Sequence, residues 1–270
     1  MAPTENIRPP KSLDTMPFNK LLEDYEFTIA RTSEERNRAL FLRHEVFLQE
    51  FNYEMTEDQT KNFEIDDYDT TSIHCLIEHK RSGMLAGCMR LVMPSADTSS
   101  KLSKLPVEIQ GDGKLNHDTF HPGLMPKQQT CEVSRLAISR RFRARQKTDT
   151  PVDNAADGKK FTLEEEKTFP LIAIGLFLCT YSLVGLSKKR HVFAMMDARL
   201  PRLLALSGFY FTKVSEAIEY HGSRYAFYID HTKAEKEMHK DLMPFYLHIR
   251  QTLAPQLEEL LAAQETSAVN

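Results

Sequence analysis

The chain has 270 residues, enough for one large domain or one domain with additions. An apolar fraction of 41% is slightly low but sufficient for a core, and a net charge of −3 excludes bulk binding of polyanions such as nucleic acid. The four cysteines, Cys75, Cys88, Cys131 and Cys179, form no Cys-x-x-Cys pair, which argues against a zinc ribbon or a disulfide framework and fits a reducing, cytoplasmic compartment.

The N-terminal segment Met1–Pro10 lacks the apolar core of a signal peptide, and residues 1–16 read as a mobile tail. Tyr25–Arg31 reads as a short strand. Thr32-Ser33-Glu34-Glu35 is a capping box that starts a helix through about Gln49, with Ala39, Leu42, Val46 and Phe47 on or near one face. A polar stretch follows. Ile73, Cys75 and Ile77 then alternate with His74 and Leu76 as a strand, Lys80–Gly83 turns, and Met84–Met93 returns to complete a hairpin. Residues 94–129 read as a long connection with a short helix near Leu102–Leu105.

Thr130–Ser139 is the next strand. It runs into Arg140-Arg141-Phe142-Arg143-Ala144-Arg145 and a polar insertion to about Lys160. Thr162-Leu163-Glu164-Glu165, a second capping box, opens a long apolar helix to about Leu186. Its Pro170–Leu186 portion is marginally short for a membrane span and contains Gly175 and Gly185, so a buried core helix is the favoured reading. Val192–Met196 is strand-like. Arg199–Leu206 forms a short helix ended by Ser207-Gly208, where glycine takes the left-handed cap. Phe209–Val214 and Arg224–Ile229 form a second hairpin, and the remainder from Thr232 is helical, interrupted by Pro244 and Pro255. The domain limits are accordingly 17–231, with a C-terminal helical extension over 232–270.

Set into these apolar runs is an ordered series of charges: Arg43, then Asp66 and Asp69, then Arg90, then Glu132 and Arg135. Charges inside strands are costly to bury unless paired, so the series points to one buried polar cluster, a common mark of an active site. In a regular strand Glu132 and Ser134 share one face and Arg135 points to the other, so Glu132 and Arg135 meet only if the strand carries a bulge.

The order of elements resembles the N-acetyltransferase (GNAT) superfamily. The series Arg43-x-x-Val46-Phe47, Asp66-x-x-Asp69, His74, Gly87-x-x-Arg90 and Glu132-x-Ser134-Arg135 resembles the acyl-homoserine-lactone synthases. It is still more similar to the long-chain N-acyl amino acid synthases, including the PEP-CTERM/exosortase-associated acyltransferases. The resemblance spans roughly residues 27–230. It implies an α/β (α+β) fold with a mixed, splayed central sheet flanked by helices, and helical additions at both ends. It also implies a bulge near Arg135, with a backbone N–H aimed at a thioester oxygen, and transfer of a fatty acyl group from acyl-carrier protein to the amine of an amino acid.

The chemistry agrees with that expectation. An amino acid amine is mostly protonated at neutral pH, so amide formation from a thioester needs a nearby base. Glu132 is the candidate, acting directly or through water; the alternative is an ion-pair partner of Arg90 or Arg135. Arg90 and Arg135 either grip an acceptor carboxylate bidentately or serve structurally. Arg43, Asp66 and Asp69 are expected to order the loop over the acceptor pocket, Asp67 to be solvated, and His74 to be a satisfied strand histidine. Ala137, Ile138, Arg140, Arg141, Arg143 and Arg145 align with the donor phosphate loop. There Ala144 and Gln146 stand in place of the family's glycines, which disfavours coenzyme A. The basic run including Lys147 then offers either docking for acidic acyl-carrier protein, whose acyl-phosphopantetheine would be the donor, or an ordinary solvated face. Helix Phe169–Leu186 and Met84, Met89, Met93, Met195 and Met196 could line an acyl tunnel, and Tyr210 is a weaker candidate for the leaving-thiol acid. No metal-ligand cluster and no permanent cofactor are expected. The alternatives are an acyl-homoserine-lactone synthase using S-adenosylmethionine, a small-acyl transferase using acetyl-CoA, and a catalytically silent acyl-binding module.

Overall fold

In the computed structural model, which describes residues 18–143 and 161–269, the first half runs α1 (Phe18–Asp24), β1 (Tyr25–Ile29), α2 (Ser33–Arg43), β2 (Glu57–Asp58), β3 (Phe63–Glu64), β4 (Ser72–His79), β5 (Met84–Val92), α3 (Pro106–Gln110) and β6 (Thr130–Ile138). The second half runs α4 (Leu163–Glu166), α5 (Ile172–Leu186), β7 (His191–Met196), α6 (Leu200–Ala205), β8 (Thr212–Lys213), β9 (Ile218–Glu219), β10 (Ser223–Asp230), α7 (His231–Glu237) and α8 (Met243–Val269). The expected tail over 1–16 and the Ala144–Lys160 segment, with Arg145, lie outside the described residues.

The strands form one mixed sheet in the order β1-β4-β5-β6-β7-β10-β8, with β9 on β10. β6 and β7 are parallel, and every other pair is antiparallel. The fold class is thus the GNAT-like one: a large mixed sheet flanked by helices. Alternation sorts the side chains. Ile73, Cys75, Ile77, Met89 and Leu91 join the core around α5, whereas Val92, Phe193, Ala226 and Tyr228 form a second cluster on the other face.

Both expected capping boxes are present: Thr32 accepts from the Glu35 N–H and Thr162 from the Glu165 N–H. The first helix continues past Arg43 as a π-helix over His44–Glu50, a widened turn that carries the cleft residue Phe47 and leads to Tyr53. The second helix is not continuous. It breaks between Glu166 and Ile172 into a 3-10 turn over Phe169–Leu171, because Pro170 lacks an N–H and its ring crowds the preceding turn. The short helix expected near Leu102–Leu105 is a 3-10 turn over Lys101–Ser103, and α3 follows from Pro106, where proline suits the first helical position.

Apolar on all sides, α5 lies between the sheet and α8, whose Ile249, Leu253, Leu257 and Leu260 share its core cluster. A side chain at Gly175 would stand 3.1 Å from the Ile77 Cδ1, so glycine there permits the close approach of α5 to β4. By length and composition Leu163–Leu186 could cross a membrane, but 72% of its apolar window is buried in this core. Gly208 has φ +89°, the expected left-handed cap, and a Cβ there would fall 2.5 Å from the Glu237 carbonyl. The second hairpin has a first strand of only Thr212–Lys213, and β9 intervenes before β10. The C-terminal helical stretch is interrupted between Glu237 and Met243, just before Pro244 in the first turn of α8, but Pro255 lies inside α8 without ending it.

Candidate active site

β6 sets the geometry. Its parallel pairing with β7 lasts for only Thr130↔His191, Cys131↔Val192 and Glu132↔Phe193. Beyond Glu132 the two strands part, β6 staying with β5 and β7 with β10. The gap opens into a cavity of about 710 Å³ walled by Val133–Leu136 on one side and Ala194–Met196 on the other. At the same level β6 bulges. Arg135 and Leu136 stand opposite the single Met89, because Cys88 pairs with Ala137 while Arg90 pairs with Ser134. Arg135 takes φ +58°, a left-handed conformation that a non-glycine residue adopts only against a steric cost. The bulge turns the Arg135 side chain from the α5 face, where alternation would put it, toward Glu64 and Asp66.

Three guanidinium groups and three carboxylates interlock there. Arg43, at the end of α2 and fully buried, donates to Asp69 at 2.6 and 3.0 Å and to Glu64. Arg90, also fully buried, donates through Nη1 to Asp66 and Asp69, both at 2.6 Å, through Nη2 to Asp66 at 2.7 Å and through Nε to the Ser134 hydroxyl at 3.1 Å. Arg135 donates to Glu64 at 3.1 Å and to Asp66 at 2.9 Å. Asp66 also caps the turn that begins at Asp67, its N–H donating to Asp69 at 2.9 Å. Burial alone would raise the Asp66 and Asp69 carboxyls, but hydrogen bonds and charge from Arg90 and Arg43 outweigh it and hold both below the usual range.

Of this set, Glu64, Asp66 and Arg135 line the cavity, with Glu132 and Ser134 beside them; Arg43, Asp69, Arg90 and His74 stand behind the wall. Nε, Nη1 and Nη2 of Arg90 are all engaged, and of these three arginines Arg135 is the one on the cavity wall. His74 lies 3.6 Å from Asp69, and burial with the Arg43 charge pushes its imidazole down to about 3, so it is neutral. Asp67 is exposed and pairs with Lys101. Glu64 was not among the residues the sequence singled out. Its one visible signal is its place two positions before Asp66, which puts both on one face of an extended segment.

Glu132 stands apart from the network. The alternative reading, an ion pair with Arg90 or Arg135, does not form; its Oε2 accepts from the Val107 N–H at 2.7 Å. It is 2% exposed, and burial pushes its carboxyl up to about 8, against the opposing pull of Val107, Arg90 and Arg135. This carboxyl stands where the two strands part, on the cavity wall. The phenol of Tyr68, on the same cavity wall, is pushed up to about 12 by burial and the Glu132 charge.

The other expected site residues are dispersed. Phe142 is buried against Tyr25, His79 and Phe161, so the segment Arg140–Phe142 is anchored as a 3-10 turn. Ala137 is buried, Ile138 half-buried and Arg140 exposed; Arg143 pairs with Glu50 and lies over the Phe51 ring. Of the methionines, Met89, Met195 and Met196 line the cavity with Phe177, whereas Met84 and Met93 do not. Tyr210 is 59% exposed and off the cavity wall, which removes it from the leaving-group role. Among the described residues no group of three or more His, Cys, Asp or Glu is placed to hold a metal ion.

Residues 42–151 match the acetyltransferase (GNAT) domain family. No curated protein matches the sequence. Several solved structures share the fold at low identity. A CoA-dependent acyl-homoserine lactone synthase, BjaI, superposes with a TM-score of 0.55 at 15% identity, covering 83% of this chain and 89% of its own. The AHL synthase LasI gives 0.51 at 13%, covering 80% and 93%. FeeM, an N-acyl amino acid synthase from uncultured soil microbes, gives 0.50 at 12%, covering 81% and 97%. The domain match, on a sheet that parts beside a buried carboxyl, supports an acyltransferase of the GNAT type.

Proposed function

We propose that the protein is an N-acyl amino acid synthase, moving a long-chain fatty acyl group from the thioester of acyl-carrier protein to the amine of an amino acid in the cytoplasm. The observation that carries this reading is the meeting of two unlike surfaces at the sheet gap. One face brings Glu132 and the arginine–carboxylate network; the other brings Val133, Phe177, Ala194 and Phe209 around an apolar recess under α5. A fatty thioester suits the apolar side and an amino acid the charged side.

In this scheme the amine attacks the thioester carbonyl. The C–N bond forms, Glu132 takes the amine proton directly or through a water, and the C–S bond breaks as the thiol leaves with a proton. Backbone N–H groups left out of the ladder by the Arg135 bulge stabilise the oxyanion. Arg140 and Arg141, in the turn after β6, would offer charge to an acidic carrier. The similarity to FeeM, and the order of motifs shared with the PEP-CTERM/exosortase-associated acyltransferases, favour an amino acid acceptor. The similarity to BjaI, described as CoA-dependent, keeps acyl-CoA as the rival donor.

Expression in a bacterium, with extracted lipids compared by mass spectrometry against an empty-vector control, tests the reading. A new acylated amino acid is the expected result and names acceptor and chain length together. Release of methylthioadenosine with an acylated lactone would instead make the protein a homoserine-lactone synthase.

A further inference from the structure

Resting on the synthase reading, the geometry points to Arg224 as the residue that grips the carboxylate of the acceptor amino acid. Among the described residues, two arginines line the cleft, Arg135 and Arg224. Arg135 is already neutralised by Glu64 and Asp66, inside a network where three cations meet three anions. Arg224 is not. Its nearest carboxylate oxygen, on Asp197, is 3.8 Å from Nη1, beyond hydrogen-bond range. Nη2 donates to the Tyr53 hydroxyl at 3.1 Å and to the His221 carbonyl at 3.4 Å. Among the described residues, Nη1 and Nε have no hydrogen-bond acceptor.

Position agrees with that role. Alternation along β10 puts Arg224 on the face of Ala226 and Tyr228, which pack with Phe193 and Val92, and away from Phe227 and Ile229 in the α5 core. That is the face of Glu132. Tyr53 stacks on His221 with ring centroids 4.7 Å apart, joining the loop after the π-helix to the β9–β10 turn and holding the guanidinium at the cleft wall. Acidic residues, including Glu54, Asp197 and Glu219, also line the cleft. Among the described residues, a carboxylate entering this cleft meets Arg135, already bound by two carboxylates, and Arg224, whose Nη1 and Nε have donors to spare. The acids around it repel a second carboxylate, so a dicarboxylic acceptor is disfavoured.

The test uses the full chain with one acyl chain presented both as acyl-CoA and on acyl-carrier protein. Acceptors are the common amino acids and their α-amides, with product read by mass spectrometry. For the amino acid that the wild type acylates best, Arg224→Gln raises the acceptor KM about ten- to a hundredfold, the scale of a charged hydrogen bond, with kcat and donor KM little changed. The α-amide of that amino acid is used alike by wild type and variant. Tyr53→Phe, which removes the anchor and keeps the charge, gives a smaller rise, again only toward the carboxylate. This second variant carries the test if Arg224→Gln does not fold. Equal losses on acid and amide, or a raised donor KM, overturn the assignment. So does a wild type that uses amino acids and their amides equally. A wild type that acylates no amino acid overturns the synthase reading and this inference with it.

Discussion

A carboxyl buried as deeply as Glu132 keeps its proton to about pH 8, well above the usual value of about 4.3 for a glutamate. Below the ordinary value both folded and unfolded states hold the proton. Between the two values the folded state keeps what the unfolded state releases, so the contribution of Glu132 to stability falls as pH rises through that window and is lowest above about pH 8. Glu132→Gln removes this dependence and can still accept from the Val107 N–H. The melting temperature of the variant relative to wild type should therefore rise between pH 5 and pH 9; a gap independent of pH would show that the site does not hold a proton. Activity moves the other way. Glu132→Gln should cut turnover about a hundredfold or more, the scale of lost acid–base assistance, and abolish the rise of kcat/KM with pH toward 8. Near-wild-type turnover would remove Glu132 from the base role.

At the scale of elements, the β6 bulge decides which charges meet. The left-handed φ of Arg135 reverses the usual order of substitutions in a strand, where glycine is less stable than alanine. Arg135→Gly and Arg135→Ala lose the same ion pairs, but only glycine takes the backbone conformation without strain. Arg135→Gly should be the more stable of the two by about 1 kcal/mol in urea unfolding. The opposite order would mean that the strand is regular in solution. This element also marks the limit of what could be read from the chain. The hairpin β4–β5, both capping boxes and the charged order from Arg43 to Arg135 were legible, because alternation, capping and spacing are local. The partners were not: the bulge, rather than spacing, sends Arg135 to Glu64 and Asp66 and leaves Glu132 without an ion pair. Glu64 hid in a polar stretch with no apolar alternation to reveal its burial. Arg224 hid at the start of a strand, since its value depends on Tyr53 and on the neutralisation of Arg135, both remote in sequence. Pro255 shows the converse. A local breaker was overridden because both halves of α8 bury apolar side chains against the same core.

For the whole molecule, the sheet separates a charged half from an apolar half, and the gap between β6 and β7 is the place where both reach one cavity. The apolar half depends on α8, whose sequence reads as an extension. Phe245, Tyr246, Ile249, Leu253, Leu257 and Leu260 of α8 are each at most 7% exposed and belong to the core shared with α5 and β1. Gln256 also ties the helix to the edge strand, its Oε1 accepting from the Ile29 N–H at 2.9 Å and its Nε2 donating to the Phe27 carbonyl at 3.2 Å. At roughly 1.5–3 kcal/mol for each large apolar side chain, the helix contributes about 10–15 kcal/mol of gross burial, comparable to the entire net stability of an ordinary domain. A chain ending at Leu242 should then give no cooperative unfolding transition and collect in the insoluble fraction. Were that truncated chain to stay soluble and melt cooperatively, α8 would be an appendage, and the floor beneath α5 would have to be supplied by the rest of the chain. Retained acyl transfer in such a form would further show that the apolar recess beside Phe177 keeps its shape without α8 behind it.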